Sequence, residues 1–202
     1  DGDEWLDWLV PLRDRLLDLL RDRSLSLKDR LRNFLLITGE VQQLLDSENM
    51  AELAAFCTES WVISTKTDVG SGSWEAAACR CLQNLEILEP DWLALLKQWE
   101  QAPELPGFAP QDPEKLERIA VYFAFRYLLK AVNDGDLLSR AQFCALGVLV
   151  TDRLSRFVGL PEALRLFSRE IEHNEENLDT LLEQFWQTEG LSLSALLAAF
   201  GG

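Results

Sequence analysis

The chain's single histidine lies in a short run of carboxylates and amides. Glu170, His173, Glu176 and Asn177 follow one another at spacings that place them on one face of a continuous helix. An imidazole beside two carboxylates could ligate iron or serve as an acid–base pair. The same pattern is also typical of a surface helix whose acidic residues are merely solvated. The sequence therefore predicts a candidate polar cluster here and leaves its role open.

A second candidate is one cation in an otherwise apolar segment. Arg126 is the only charge in residues 119–129, which read IAVYFAFRYLL. A segment apolar nearly all round predicts a buried helix, and a buried guanidinium needs carboxylate or carbonyl partners because an unpaired buried charge is costly. We therefore expect Arg126 either to anchor a ligand carboxylate or to tie helices together, and we add it to the candidate polar cluster.

The cysteines do not have the spacing of a metal site. The chain has Cys57, Cys79, Cys81 and Cys144. Thiols two residues apart on a helix point about 200° apart, whereas metal sites usually use C-x₂-C pairs. Their spacing is no disulfide framework either, so we expect a reducing compartment and no metal in this chain. The sequence also lacks Gly-rich phosphate loops, G-x-S-x-G and H-E-x-x-H.

Helices must position these residues, because apolar residues recur at spacings of three and four and no stretch alternates convincingly with period two. The apolar runs 119–129 and 137–150 are joined by Asn133-Asp134-Gly135-Asp136, where Gly135 suits a left-handed position and Asp136 suits an N-cap. We predict an all-α fold, a single irregular multi-helix bundle of about eight to ten helices around this buried helical hairpin. Asp134, Gly135 and Asp136 form its turn.

Other breaks in the pattern suggest how the chain is divided. Four of the seven prolines fall in residues 102–113, which we interpret as a connector between an N-terminal helical half, 1–101, and a C-terminal helical half, 114–202, within one compact domain. Pro11 predicts a break or a start in the first helix, and Asp91 predicts the N-cap of a helix that follows one at 74–88. Residues 64–73 predict a loop, whose Gly70–Ser73 run is either natural or an engineered replacement.

The composition limits the classes of partner. The 202 residues carry a formal net charge of −15, which argues against nucleic acid and permits a basic partner or a cationic substrate, although many soluble proteins are simply acidic. We expect no membrane span, since Arg140 interrupts the longest apolar region, and no secretory signal, since the first residues are acidic. The chain does not begin with Met, so we expect either an engineered piece or a fragment of a longer protein. The cysteine usage favours a cytoplasmic location.

Three blocks of the sequence resemble flagellin lysine-N-methylases. The first is PLR at 11–13 with LLDLLRDRSLSLKDRL at 16–31, the second is YFAFRYLLKAVNDGD at 122–136, and the third is FSREIEHNEENL at 167–178. They span most of the chain in the order that the family has. The resemblance implies methyl transfer from S-adenosylmethionine to surface lysines of flagellin.

The chain differs from the family pattern in its cysteines. Family members also carry an N-terminal cysteine cluster that is thought to hold an iron–sulfur centre, and this chain lacks it; Cys79 and Cys81 do not replace it. The chain therefore resembles the C-terminal helical part of such an enzyme, with flagellin and the cysteine-bearing N-terminal part as its partners. A protonated lysine and a sulfonium donor are both cations, so an acidic surround suits both. The other interpretations are a non-enzymatic acidic binding domain and a structural scaffold.

Overall fold

A computed structural model describes residues 2–61, 74–105 and 107–201, and side chains from residue 5 onward. Within those ranges the chain forms ten α-helices and no β-strand, which confirms the predicted all-α fold. The predicted loop with the Gly70–Ser73 run lies outside the described residues. The helices are α1 Gly2–Arg21, α2 Leu27–Asp46, α3 Met50–Thr58, α4 Trp74–Asn84, α5 Pro90–Gln101, α6 Pro113–Tyr127, α7 Leu137–Val158, α8 Leu160–Phe167, α9 Glu175–Gln187 and α10 Leu193–Ala199. Short 3₁₀ segments at Leu128–Asn133 and Glu189–Leu191 and a π-helical segment at Ser168–Glu172 complete the list.

The described residues belong to two compact units. The first takes those of Asp1–Asp68 and Asp112–Ala145, and the second takes those of Val69–Gln111 and Leu146–Gly202. Helix α7 contributes its first nine residues to the first unit and the remainder to the second. Each unit therefore draws on both sides of the connector, and the predicted division into halves stays a prediction.

In the first unit, α1 and α6 run antiparallel. Arg23 bonds to Glu117, whereas Arg13, ten residues earlier, lies over the ring of Phe125.

The predicted break at Pro11 is wrong, because α1 continues through it. An internal proline costs about 3 kcal/mol. The leucines around it are fully buried and offset that cost at about 1.5–3 kcal/mol each. These leucines are Leu9, Leu12, Leu16 and Leu20.

The predicted hairpin is present, with different burial of its two helices. Gly135 has φ +78°, and the Asp136 carboxylate accepts the Ser139 amide at 3.0 Å, as expected for an N-cap. Residues 137–154 of α7 are all buried. By contrast, α6 has an exposed face that includes Phe125, which is 59% exposed, and Arg126. The expectation that the segment around Arg126 is buried on all sides is therefore wrong, since only one face of α6 packs into the core.

In the second unit, two predicted helix ends are wrong. Helix α4 stops at Asn84 rather than continuing to residue 88, and α5 begins at Pro90 with Glu89 as its N-cap, so Asp91 lies inside the first turn. Proline is favoured at the first helical position because its missing amide has no helical partner there. The backbone amides of the intervening residues bond instead to side chains from a distant part of the sequence.

Candidate functional site

The residues of the candidate polar cluster do not lie on one continuous helix. The π-helical segment ends at Glu172, the chain turns at His173, and Asn174 caps α9 by accepting the Asn177 amide at 3.2 Å. The helical spacing of three and four residues therefore does not hold between Glu170 and Asn177. The cap side chain competes with helical continuation, as amide side chains commonly do.

Glu170 and Asn177 nevertheless meet the same backbone segment. The Glu170 carboxylate is fully buried and accepts the amides of Leu88 at 2.9 Å and Glu89 at 2.7 Å. The Asn177 amide group donates to the Glu86 carbonyl at 2.8 Å, and its oxygen accepts the Glu86 amide at 2.9 Å. A buried carboxylate is tolerated where hydrogen bonds replace its water. These two side chains hold the α4–α5 loop, which is why α4 ends early.

The other members of the candidate polar cluster face solvent. His173 and Glu176 are exposed in the second unit. Arg126 is exposed in the first unit, with its guanidinium carbon 5.7 Å from the Tyr127 ring centre and 6.0 Å from that of Tyr122. The structure thus joins Glu170 to Asn177 through one loop, and a chemical role for the whole set stays a prediction.

The described cysteines are buried thiols. Burial raises the pKa of Cys79 and of Cys81 to about 11, and it also raises the pKa of Cys57. A thiol with such a pKa is almost entirely protonated at neutral pH and is a poor nucleophile or metal ligand. Among the described residues, no group of three or more His, Cys, Asp or Glu side chains could hold a metal ion. Cys79 and Cys81 on α4 therefore do not fit an iron–sulfur cluster.

A feature that the sequence did not reveal is a cleft in the second unit, which we call the acidic cleft. Its volume is about 120 Å³, and α4, α5 and the start of the connector supply its walls. Its lining residues are Glu75, Ala76, Cys79, Arg80, Trp99, Glu100, Ala102 and Glu104. Three carboxylates, one guanidinium and one indole therefore converge on a space about as large as an engineered cavity that admits benzene.

Glu75 fixes the inner wall of the acidic cleft. Its carboxylate lies 2.9 Å from Arg153 Nε, accepts the Trp99 indole N–H at 2.9 Å and accepts the Leu105 amide at 3.1 Å. Both charges of the pair are buried. Arg153 pairs with Glu75 in this wall, and the other two carboxylates that line the cleft, Glu100 and Glu104, are exposed.

The connector that forms one side of the cleft is irregular but anchored. Its described residues in 102–112 have no regular structure, as predicted, and Pro113 starts α6. From α7, Arg153 donates to the Pro103 carbonyl at 2.6 Å, and Arg156 donates to the Ala109 carbonyl at 2.7 Å. Asp152 accepts the Gln111 amide at 3.4 Å, and burial raises the pKa of this carboxyl. The buried helix thus positions the connector.

The geometry of the acidic cleft suits one cationic side chain. Carboxylates favour an ammonium ion. The cleft does not fit S-adenosylmethionine, because sites for ligands of that size occupy about 300 Å³ or more. The sequence shows that residues 100 and 104 are acidic. It does not show that they lie beside α4, because that proximity depends on the path of the connector.

Comparison with known proteins adds no assignment. No family model, no curated protein and no solved structure matches this chain. Among the described residues, no helix combines the length and the apolar character needed to cross a bilayer.

Proposed function

We propose that this chain is the C-terminal helical part of a cytoplasmic protein-lysine N-methyltransferase that methylates surface lysines of flagellin with S-adenosylmethionine. In this proposal the chain contributes substrate recognition. Two observations support it: the three sequence blocks that resemble the family, and the acidic cleft. The acidic cleft carries the argument, because it is the described feature whose size and charge match a lysine side chain.

Recognition would use local and long-range charge together. The field of a chain with net charge −15 draws in a basic segment of the substrate. Glu100 and Glu104 then hold one lysine ammonium at the mouth of the acidic cleft, and its alkyl chain lies against Trp99. Arg80, which also lines the cleft, repels a second cation. The chemistry of methyl transfer is assigned to the cysteine-bearing N-terminal part, because burial raises the pKa of Cys79 and of Cys81 to about 11.

Calorimetric titration with purified flagellin monomer tests this assignment. We expect binding that weakens as salt rises, because exposed charges are screened within a Debye length of about 8 Å at physiological ionic strength. The variant Glu100→Gln/Glu104→Gln should bind at least about tenfold more weakly. A matched control, Asp179→Asn/Glu183→Gln, removes the same charge from exposed positions on α9 and should change affinity less than about twofold. Equal losses of flagellin affinity in both variants would show that binding depends on the net charge of the chain rather than on the acidic cleft.

A non-enzymatic acidic binding domain is the second candidate, and the burial of all four thiols favours it. Assembly with the cysteine-bearing part separates the two. If the chain serves an enzyme, the assembled protein methylates flagellin and Glu100→Gln/Glu104→Gln lowers methyl incorporation measured by mass spectrometry. If it is only a binding domain, flagellin binds but no methylation depends on it. A stable complex with the cysteine-bearing part, without flagellin affinity, would indicate a scaffold.

A further inference from the structure

The exposed lining of the acidic cleft carries charges of both signs. Its exposed charged residues are Arg80 on α4, Glu100 on α5 and Glu104 in the connector. The proposed function uses the two carboxylates to hold a lysine ammonium. It gives the guanidinium of Arg80 no partner, although this group lines the same space. A ligand that satisfies the whole cleft must therefore present a negative charge as well as a positive one.

Glu100 is held beside the turn of α4 that carries Arg80. Gln83 Nε2 donates to Glu100 Oε2 at 3.2 Å and to Cys79 Sγ at 3.5 Å. Gln83 lies three residues after Arg80, and residues at that spacing on a helix have Cβ atoms about 5–6 Å apart. The hydrogen bond across to α5 thus fixes a carboxylate about one helical turn from the guanidinium.

The thiol of Cys79 lies close enough to both charges to respond to them. Burial is the main reason that its pKa is raised to about 11; Glu100 adds to the rise and Arg80 opposes it. Cys79 also lines the cleft. The anion and the cation therefore lie around one part of the cleft rather than at its remote ends.

These opposite charges do not neutralise each other by pairing. Among the residues that the structure describes, no carboxylate lies within 4.0 Å of the Arg80 guanidinium. The buried guanidinium of Arg153, by contrast, lies 2.9 Å from Glu75. A guanidinium offers five N–H donors in a planar fork that fits a carboxylate. Arg80 is thus placed to bind an acidic group that arrives with the ligand.

We infer, on the basis of the proposed function, that the acidic cleft selects a substrate lysine with an aspartate or glutamate two residues away, and that Arg80 is the specificity-determining residue. Side chains two apart in an extended segment point to the same side and lie about 6.6–7 Å apart. Both can therefore enter one cleft, the ammonium towards Glu100 and the carboxylate towards Arg80. A second lysine at that position would meet Arg80 and be repelled.

This selection differs from attraction by the whole chain. The net charge of −15 draws in any basic segment and does not distinguish where a nearby carboxylate lies. One exposed guanidinium acts only over a short range, because salt screens it within a Debye length of about 8 Å. Moving a carboxylate along a peptide of constant charge therefore isolates the contribution of Arg80.

NMR titration with three synthetic peptides tests the inference, with the backbone amides of α4 as reporters of weak binding. Each peptide has about 11 residues, mostly Gly and Ser, and blocked termini that carry no charge. The first has Lys and Glu two residues apart, the second has the same composition with Glu moved to the far end, and the third replaces Lys by Gln. We expect the first to bind at least about threefold more tightly than the second, as one exposed ion pair permits.

The third peptide separates this inference from the proposed function. Equal affinity for the first two peptides, with both binding more tightly than the third, would overturn the selection and leave lysine recognition intact. Equal affinity for all three would overturn both.

Two variants assign the preference to one side chain. Arg80→Gln should reduce the preference between the first two peptides to less than about 1.5-fold, while lysine binding persists. The control Arg169→Gln makes the same change in the same unit, at a side chain that is 61% exposed and does not line the cleft, and should retain the preference. Circular dichroism melts confirm that both variants fold. A preference that survives Arg80→Gln, or that Arg169→Gln also removes, would contradict the role of Arg80.

Discussion

Arg153 Nε lies 2.9 Å from Glu75 Oε2, and each side chain is about 5% exposed. The pair joins buried α7 to the wall of the acidic cleft on α4, and Arg153 also holds the Pro103 carbonyl of the connector. Both faces of the cleft are therefore positioned by one residue that is itself buried. The cleft depends on this ion pair for its shape, whereas its exposed carboxylates, Glu100 and Glu104, lie outside the pair.

Replacing Glu75 by Ala should lower the free energy of unfolding by about 3–5 kcal/mol, because it leaves the Arg153 guanidinium buried without its counter-charge. The Trp99 indole and the Leu105 amide would also lose their acceptor. Urea unfolding followed by circular dichroism measures the change. Glu100→Ala is the control: this exposed carboxylate should change stability by less than about 0.5 kcal/mol.

The double variant Glu75→Met/Arg153→Met shows whether the instability of Glu75→Ala comes from an unpaired buried charge, because it removes both charges and keeps the side-chain volume. Two apolar side chains of similar volume leave no unpaired charge, so the double variant should be more stable than Glu75→Ala. If Glu75→Ala is as stable as the native chain, the ion pair does not hold the wall of the cleft.

Asn177→Ala should lower the free energy of unfolding by about 3 kcal/mol, because it removes three hydrogen bonds from buried or partly buried groups. These bonds reach the Glu86 amide, the Glu86 carbonyl and the Glu170 carbonyl. Chemical denaturation gives the value directly. The neighbouring exposed residue provides the control, since Glu176→Ala should cost less than about 0.5 kcal/mol. Similar losses for the two variants would mean that Asn177 does not hold the loop.

His173→Ala distinguishes a chemical role of the candidate polar cluster from a structural one. His173 is exposed at the turn between the π-helical segment and α9, so its removal should leave the melting temperature unchanged within about 2 °C. Under the proposed function, methylation of flagellin by the chain assembled with the proposed cysteine-bearing part should nevertheless decrease. Unchanged methylation would remove His173 from the proposed site.

The Glu117 carboxylate should make the stability of the chain depend on pH. Burial alone would raise its pKa, but hydrogen bonds from Arg23 and Arg30 outweigh burial, and the pKa lies below the ordinary 4.5. The folded state therefore gains stability from ionised Glu117 above about pH 4.5, and loses it as the pH falls through the lowered value. Unfolding free energies of the native chain and of Glu117→Gln should differ most near neutral pH and converge in acid. A difference in unfolding free energy that stays constant with pH would show that the pKa of Glu117 is the same in the folded and unfolded states.

The sequence predicted the helices better than the sites, for a physical reason. Helix α2 begins after Ser26, whose hydroxyl accepts the Asp29 amide at 3.1 Å, and the hairpin turn lies at Gly135 as expected. Such caps involve neighbours in the chain and can be recognised locally. By contrast, the loop that follows the end of α4 is held by Glu170, more than eighty residues later, which accepts a hydrogen bond from the Leu88 amide. Contacts of that separation leave no local pattern, and the acidic cleft depends on them.

Exposure was the other quantity that periodicity did not predict. The run around Arg126 is apolar nearly all round, which predicted burial, yet its rings at 122 and 125 face solvent. Hydrophobicity reports the cost of exposing a residue, while tertiary packing decides whether that cost is incurred. Exposed apolar side chains are normal on protein surfaces, so the apolar character of a segment alone does not establish burial on all sides.

Gly135→Ala should lower the free energy of unfolding by about 1–2 kcal/mol, because φ of +78° is a left-handed conformation that a Cβ disfavours. The added Cβ would lie 3.5 Å from the Trp5 ring, an ordinary contact, so the cost comes from the backbone. Gly159 has φ +80° with nothing within 4 Å of its Cβ position, and Gly159→Ala should therefore cost about the same. Gly135→Asn should cost less than Gly135→Ala, since Asn tolerates this conformation better. If Gly135→Ala is much more costly than Gly159→Ala, packing against Trp5, rather than backbone conformation, determines the residue at the turn.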